Sequence, residues 1–294
     1  MKLEKYLFGE ILQSVRQYKN LSVEELAEGI CTVDELISFE KERSYPTLDV
    51  LYQFAQKLDM ELTYFFDIAS KTTVHFPNAV IQLIEKYKRE RNYEAIHNII
   101  QQEKENPLFS QKSLKQYLLW HEGICSYYLN GNADQALDLL SKAISVTNPK
   151  RVSLSEREIE ILTSIGSIFN EIGNFKSAVT IFMEALSNIE KLPHILNIKG
   201  KLRILFGLSQ ALTELGELEK SLSYSQKGLN LCINEELLFL LNEFHYQIGE
   251  NYVKMGQLDK GKYYLDECLH LLELEGKTNL LRIMKSEIDK ILKS

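Results

Sequence analysis

The sequence predicts an all-α chain. An N-terminal domain of five short helices with a helix-turn-helix comes first, then a short linker, then five helix pairs closed by a capping helix. Three observations carry this. Pro occurs only 5 times in 294 residues, which suits long helices with few extended connections. Within residues 21–46, Ser22 with Glu25 and Thr32 with Glu35 form two S/T-x-x-E boxes on either side of Gly29, each the signature of a helix start. From about residue 81 onward, small residues recur at a near-constant interval, with apolar partners at fixed offsets.

Taken in order, residues 8–19 place Ile11, Leu12, Val15 and Tyr18 at helical spacing. Asn20-Leu21 ends that helix and Ser22 opens the next, whose core face is Leu26 and Ala27. After the break at 29–31, Thr32 opens a third helix with Leu36 and Phe39 turned inward. Pro46-Thr47 starts a fourth through Lys57, and residues 62–67 make a short fifth. Residues 1–68 thus form a compact helix-turn-helix domain. Residues 69–80 are the linker, with Ser and Thr clustered before Pro77 restarts a helix.

Residues 81–294 repeat. The clearest unit is Ile165-Gly166, Phe169, Gly173, Ala178, Phe182, Ala185, and its offsets recur at Ile248-Gly249, Tyr252, Gly256, Gly261, Leu265, Cys268. Copies with Ser for Gly (Leu208-Ser209 to Gly228) and around Ile124–Ala143 complete the series, with a fainter first copy at Leu83, Tyr93, Ala95 and Ile99. The small anchors 95, 136, 178, 221 and 261 lie 41, 42, 43 and 40 apart. This resembles a tetratricopeptide pattern with lengthened helices, the minimal unit being about 34 residues. Small residues belong where paired helices approach closely, with a bulky side chain opposite, and the Gly of each turn is a helix C-cap. Five such pairs and a closing helix at 278–292 make a superhelix with a concave face suited to extended or helical peptides.

Composition excludes several classes. The net charge is −7, and residues 1–68 hold 7 Lys+Arg against 13 Asp+Glu, the rest 27 against 28. The acid excess lies in the helix-turn-helix domain, which argues against strong non-specific nucleic-acid binding. No apolar run is long enough to cross a membrane, and no signal peptide opens the chain, so a cytoplasmic protein is expected. Cys31, Cys125, Cys232 and Cys268 lack metal-ligand spacing and are expected as reduced, packed thiols. No phosphate loop, GxSxG or HExxH occurs and the six His show no ligand pattern, so neither an enzyme nor a cofactor is expected. His121 and His245 read as structural or groove-lining, and Trp120 as core.

If the helix-turn-helix reads double-stranded DNA, Arg16, Lys19, Lys41, Arg43 and Tyr45 are the candidates for phosphates, and Thr32, Val33, Asp34, Ile37 and Ser38 face bases. Val33 suits a thymine methyl and Asp34 a cytosine amino group. The run Lys86-Tyr87-Lys88-Arg89-Glu90-Arg91 closes the first helix of the first repeat. It reads either as charge answering a helix C-terminus or as two guanidiniums, Arg89 and Arg91, clamping a carboxylate.

Residues 1–68 resemble the repressor-like helix-turn-helix family at Leu21-Ser22, Glu25-Leu26-Ala27, Phe39-Glu40, Pro46, Leu58 and Phe65-Phe66. They depart from it at Val23, where the family has Gln, and at Glu42, where it has Gly. The whole layout, with Gly29-Ile30-Cys31, Tyr45-Pro46 followed by Asp49 and Leu51, and Tyr93-Glu94-Ala95-Ile96, resembles the PlcR-type peptide-pheromone-responsive regulators. That resemblance implies a quorum-sensing transcription regulator in which a short signalling peptide in the groove controls binding of a homodimer to a palindromic site. It places the peptide carboxylate on Arg89 and Arg91. It puts Phe66, Thr163, Gly207 and Glu243 where the family has other groove residues, with Asn170 and Tyr246 as inner-face neighbours. The alternative is a peptide-gated module that acts on a response-regulator partner, its helix-turn-helix serving dimerisation.

Overall fold

The computed structural model describes residues 8–41, 44–65 and 75–292, and among these there is no strand. The helices are α1 (Phe8–Tyr18), α2 (Val23–Ala27), α3 (Val33–Glu40), α4 (Leu48–Lys57), α5 (residues 62–65), α6 (His75–Arg89) and α7 (Tyr93–Glu103). A 3₁₀ turn at Pro107–Ser110 leads to α8 (Lys112–Asn130), α9 (Ala133–Thr147), α10 (Glu156–Glu171) and α11 (Phe175–Ile189). Then come α12 (Ile198–Glu214), α13 (Leu218–Asn234), α14 (Leu241–Lys254), α15 (Leu258–Leu274) and α16 (Thr278–Ile291). The chain divides into two compact units, Met1–Arg89 and Glu90–Ser294. α6 begins inside the expected linker and falls in the first unit; the expected boundary between residues 68 and 69 lies outside the described residues.

In the first unit both capping boxes form. Glu25 N–H donates to Ser22 Oγ (3.0 Å) and Ser22 N–H to Glu25 Oε2 (2.6 Å). Glu35 N–H donates to Thr32 Oγ1 (3.2 Å) and Thr32 N–H to Glu35 Oε2 (2.8 Å). Each box satisfies donors that the first helical turn leaves open. Leu12, Leu26, Leu36 and Phe54 are wholly buried in one core shared by α1 to α4. The α1 backbone lies so close to the end of α3 that a Cβ on Gly9 would stand 2.4 Å from the Phe39 carbonyl oxygen.

The second unit packs as a one-dimensional array. Each helix from α7 to α16 packs on the next, and further contacts join α8 to α10, α10 to α12 and α12 to α14. These second-neighbour contacts make α8, α10, α12 and α14 the inner row. The pairs α8–α9, α10–α11, α12–α13 and α14–α15 are four complete repeats, with α7 before them and α16 behind. Their close approaches use the expected small residues: Ala136, Ala178 and Ser221 have no exposed surface. The Phe182 ring fills the space over two glycines, since a Cβ would stand 2.9 Å from it at Gly166 and 2.3 Å at Gly207.

The turns correct the register of the first repeat. Gly131, Gly173, Gly216 and Gly256 close the inner helices with φ between +67° and +77°, and the small anchor follows five residues later. Arg91 holds the same left-handed turn at φ +54°, so its anchor is Ile96, which is buried, and Ala95 is only half-buried. Without a Gly to mark the turn, the spacing misplaces this anchor by one residue.

Where the α12–α13 pair carries Ser in place of Gly, the Ser221 hydroxyl enters a buried network. Ser221 Oγ donates to Ser209 O (2.7 Å), Thr213 Oγ1 donates to Asn251 Oδ1 (2.7 Å), and Asn251 Nδ2 donates to Ser221 Oγ (2.8 Å). Gln247 Nε2 joins it by donating to Thr213 Oγ1 (2.8 Å).

Candidate nucleic-acid interface and repeat groove

The surface of α3 is built by its cap and its core face. Asp34, Glu35 and Lys41 are exposed, and Ile37 and Ser38 are half-buried. Three of the expected base contacts are otherwise engaged. Val33 packs against the core, the Thr32 hydroxyl donates to Glu35 Oε2 (2.8 Å) within its capping box, and Ser38 Oγ shares a hydrogen bond with Ser44 Oγ (2.8 Å). Backbone and hydroxyl donors from Thr32 hold the Glu35 carboxyl below its usual value, so this acid stays charged.

Arg16 is a correction. It is buried against Glu40, with Nε to Oε1 at 2.6 Å and Nη2 to Oε2 at 2.9 Å, and Nη1 donates to Leu21 O (2.9 Å). Each of its three nitrogens donates inside the fold and the side chain is buried, so it is not presented to a phosphate. Lys19, Lys41 and Tyr45 are exposed, and Arg43 lies outside the described residues.

In the second unit a concavity of about 350 Å³ opens between the inner helices. Asn170 and Glu171 of α10, Phe175 at the start of α11, Gln210 and Glu214 of α12, and Tyr246, Gln247 and Glu250 of α14 line it. The structure therefore brings Asn170 and Tyr246 together. Between α7 and α8, the Tyr93 and Tyr128 rings stack at 4.4 Å with Tyr127 edge-on to Tyr128 at 5.2 Å. Burial, with the Glu171 charge, pushes the Tyr128 phenol up to about 12, and the Arg91 charge opposes this. The Arg91 and Glu171 charges thus act with opposite signs on the same pair of rings. Arg89 and Arg91 are both exposed.

Thr163 and Glu243 do not join that concavity. Thr163 is buried, its hydroxyl donating to Ile159 O (2.8 Å), in a small crevice with Glu156, Asn197 and Ile204. Glu243 carries a buried Oε2 without a hydrogen-bond partner, and burial holds its carboxyl above the usual value. Gly207 serves Phe182 packing, and Phe66 lies outside the described residues. Because the folded chain disfavours the Glu243 carboxylate, stability is greatest below the unfolded-state value and falls as pH rises through the folded one. Glu243→Gln should raise Tm near neutral pH and change it little below about pH 4, measured by thermal melts.

Glu171, Phe175, Gln210, Glu214, Gln247 and Glu250 escape the repeat pattern read for its small residues. The signal for four of them is the offset from the turn: Glu171 and Glu214 stand two residues before Gly173 and Gly216, and Gln210 and Glu250 six before Gly216 and Gly256.

Among the described residues no helix is long and apolar enough to cross a membrane, and no cluster of His, Cys, Asp or Glu is placed to hold a metal. No curated protein matches the chain. Solved structures are similar along its whole length. Bacillus thuringiensis PlcR in complex with the peptide PapR7 and DNA superposes with TM-score 0.78 at 19% identity, covering 99% of this chain and 100% of that one. The Streptococcus dysgalactiae SHP pheromone receptor Rgg2 gives 0.66 at 18%, covering 96% and 99%. ComR from S. thermophilus, in complex with DNA and its signalling peptide, gives 0.59 at 14%, covering 97% and 99%. These likenesses establish the fold, a helix-turn-helix domain followed by tetratricopeptide-like repeats. The RNPP family C-terminal domain matches residues 81–280, more than half of the chain, and the chain therefore belongs to the RNPP family.

Proposed function

We propose that the chain is a transcription regulator gated by a short peptide. Residues 1–68 are the DNA-reading head, 69–80 the linker, and 81–294 the peptide-binding and dimerisation domain of a homodimer. The observation that carries this reading is the open concavity lined by Asn170, Tyr246 and their neighbours on the inner row of an RNPP-family array. A polar and aromatic concave surface of this size fits an extended peptide, with amides for its backbone and rings for its side chains. Arg89 and Arg91 hold the peptide carboxylate. Lys19, Lys41, Arg43 and Tyr45 meet phosphates, and Asp34 and Ile37 face bases. Peptide binding acts by favouring one of two arrangements of the array.

The clamp is tested by calorimetric titration with a short free-acid peptide that the chain binds. Arg89→Ala with Arg91→Ala should weaken binding by about tenfold or more, and C-terminal amidation should weaken binding to the unaltered chain as much. Equal affinity for free acid and amide would remove the clamp.

A second reading is favoured by one observation. The exposed part of α3 carries Asp34 and Glu35 against Lys41, a poor surface for phosphates. In that reading the helix-turn-helix serves dimerisation and the peptide gates a protein partner.

A further inference from the structure

The concavity between α10, α12 and α14 is acceptor-rich, and the orientation of its amides makes it so. Asn170 Nδ2 donates inward to Gly207 O (3.0 Å), which leaves its buried Oδ1 without a donor from the chain. Gln247 is only 3% exposed, and its Nε2 donates to Thr213 Oγ1 (2.8 Å) and Glu250 Oε2 (3.1 Å). Turning either amide over would set an oxygen against an oxygen, so both orientations are fixed by their partners. The Gln247 Oε1 accordingly has no donor among the described residues, and it belongs to a side chain lining the cavity.

Three carboxylates, Glu171, Glu214 and Glu250, share the lining. One cation answers them. Lys254 Nζ stands 2.9 Å from Glu250 and 3.8 Å from Glu214. Glu171 is exposed and makes no ion pair among the described residues. Two negative charges therefore remain unmatched in a site walled by Phe175 and Tyr246.

We propose that this site seats a positively charged group of the bound peptide: a lysine or arginine side chain, or the peptide's own amino terminus. An ammonium carries three donors and a guanidinium five, with no acceptor, which matches two donorless amide oxygens and an uncompensated acid pair. Tyr246 puts an aromatic side chain in the same lining, a residue type that attracts cations over its ring. The inference rests on the peptide-groove reading and adds a charge requirement to it. The requirement is for charge at the acid-lined end of the site that Glu171, Glu214 and Glu250 share.

The test uses the immobilised full-length chain and four pools of short free-acid peptides with otherwise uncharged side chains. Each peptide carries either one lysine or one norleucine, and each pool is prepared with a free or an acetylated amino terminus. Retained peptide is quantified by mass spectrometry. If a side chain is the cation, lysine pools are retained about tenfold over norleucine pools whether or not they are acetylated. If the amino terminus is the cation, acetylation of the norleucine pool lowers retention by about the same factor.

Glu171→Gln should shrink whichever preference is seen, and Glu171→Lys should abolish it. Because Glu171 is exposed and unpaired among the described residues, neither substitution disturbs folding, and circular dichroism checks this. Retention that is equal in all four arms overturns the cation site and leaves peptide binding standing. Retention in none of them, by folded protein, overturns the peptide-groove reading and the cation site together.

Discussion

Glu40→Ala should destabilise the N-terminal unit by about 3–5 kcal/mol. Arg16 and Glu40 are 8% and 7% exposed, and their two parallel hydrogen bonds tie α1 to the last turn of α3. Removing Glu40 leaves a guanidinium in the core with only the Leu21 carbonyl as a partner. Glu40 raises the guanidinium above its usual value; without it the arginine still stays charged, because a guanidinium does not lose its proton in a protein, and its desolvation is left unopposed. An apolar pair of similar volume, Arg16→Met with Glu40→Leu, should recover most of the loss, because the cost comes from an unpaired charge and not from a lost shape. Urea titration of the full chain separates the units. The single tryptophan, Trp120, is buried in the second unit with its indole N–H on Ser164 Oγ (2.9 Å). Its fluorescence transition should stay in place while part of the far-UV signal is lost at lower urea.

Phe182→Ala should have an effect of the same size in the other unit, about 3–5 kcal/mol. The Phe182 ring has no exposed surface and fills the space between Gly166 of α10 and Gly207 of α12. Truncation leaves a cavity whose walls are backbone, and helix backbone closes poorly over a lost ring. Gly207→Val should destabilise for the opposite reason, since even one methyl group there would enter the ring. In an array where each repeat touches only its neighbours, the loss centres on the interface between the α10–α11 and α12–α13 pairs. The Trp120 fluorescence midpoint should fall in both variants.

What the sequence shows clearly is local. Ser22, Glu25, Thr32 and Glu35 announce two helix starts because a capping box is complete within four residues. The turn glycines announce the inner helix ends because only that residue adopts a left-handed turn without strain. Arg16 is misread because its partner lies 24 residues away, and a basic residue near a helix end looks the same whether it faces solvent or a buried carboxylate. Thr163 and Asn170 sit on one inner helix seven residues apart, close to two full turns. They nonetheless meet different surroundings: Thr163 is buried in a crevice with Asn197 and Ile204, whereas Asn170 reaches Gly207 O at the edge of a concavity that α14 also lines. The cavity acids are legible only after the turns have set the register, since their meaning lies in a repeated offset and not in any motif.

Binding of labelled DNA from this gene's own promoter region, followed by anisotropy with and without a short peptide that the chain binds, tests the central claim most directly. A peptide-gated regulator should show an affinity that changes by at least about tenfold when peptide is added. With Lys19, Lys41, Arg43 and Tyr45 as its phosphate contacts, its salt dependence should correspond to fewer than about ten phosphates per dimer. No binding in either condition, with the peptide shown to bind, would contradict DNA reading and leave the peptide-gated interaction module in its place.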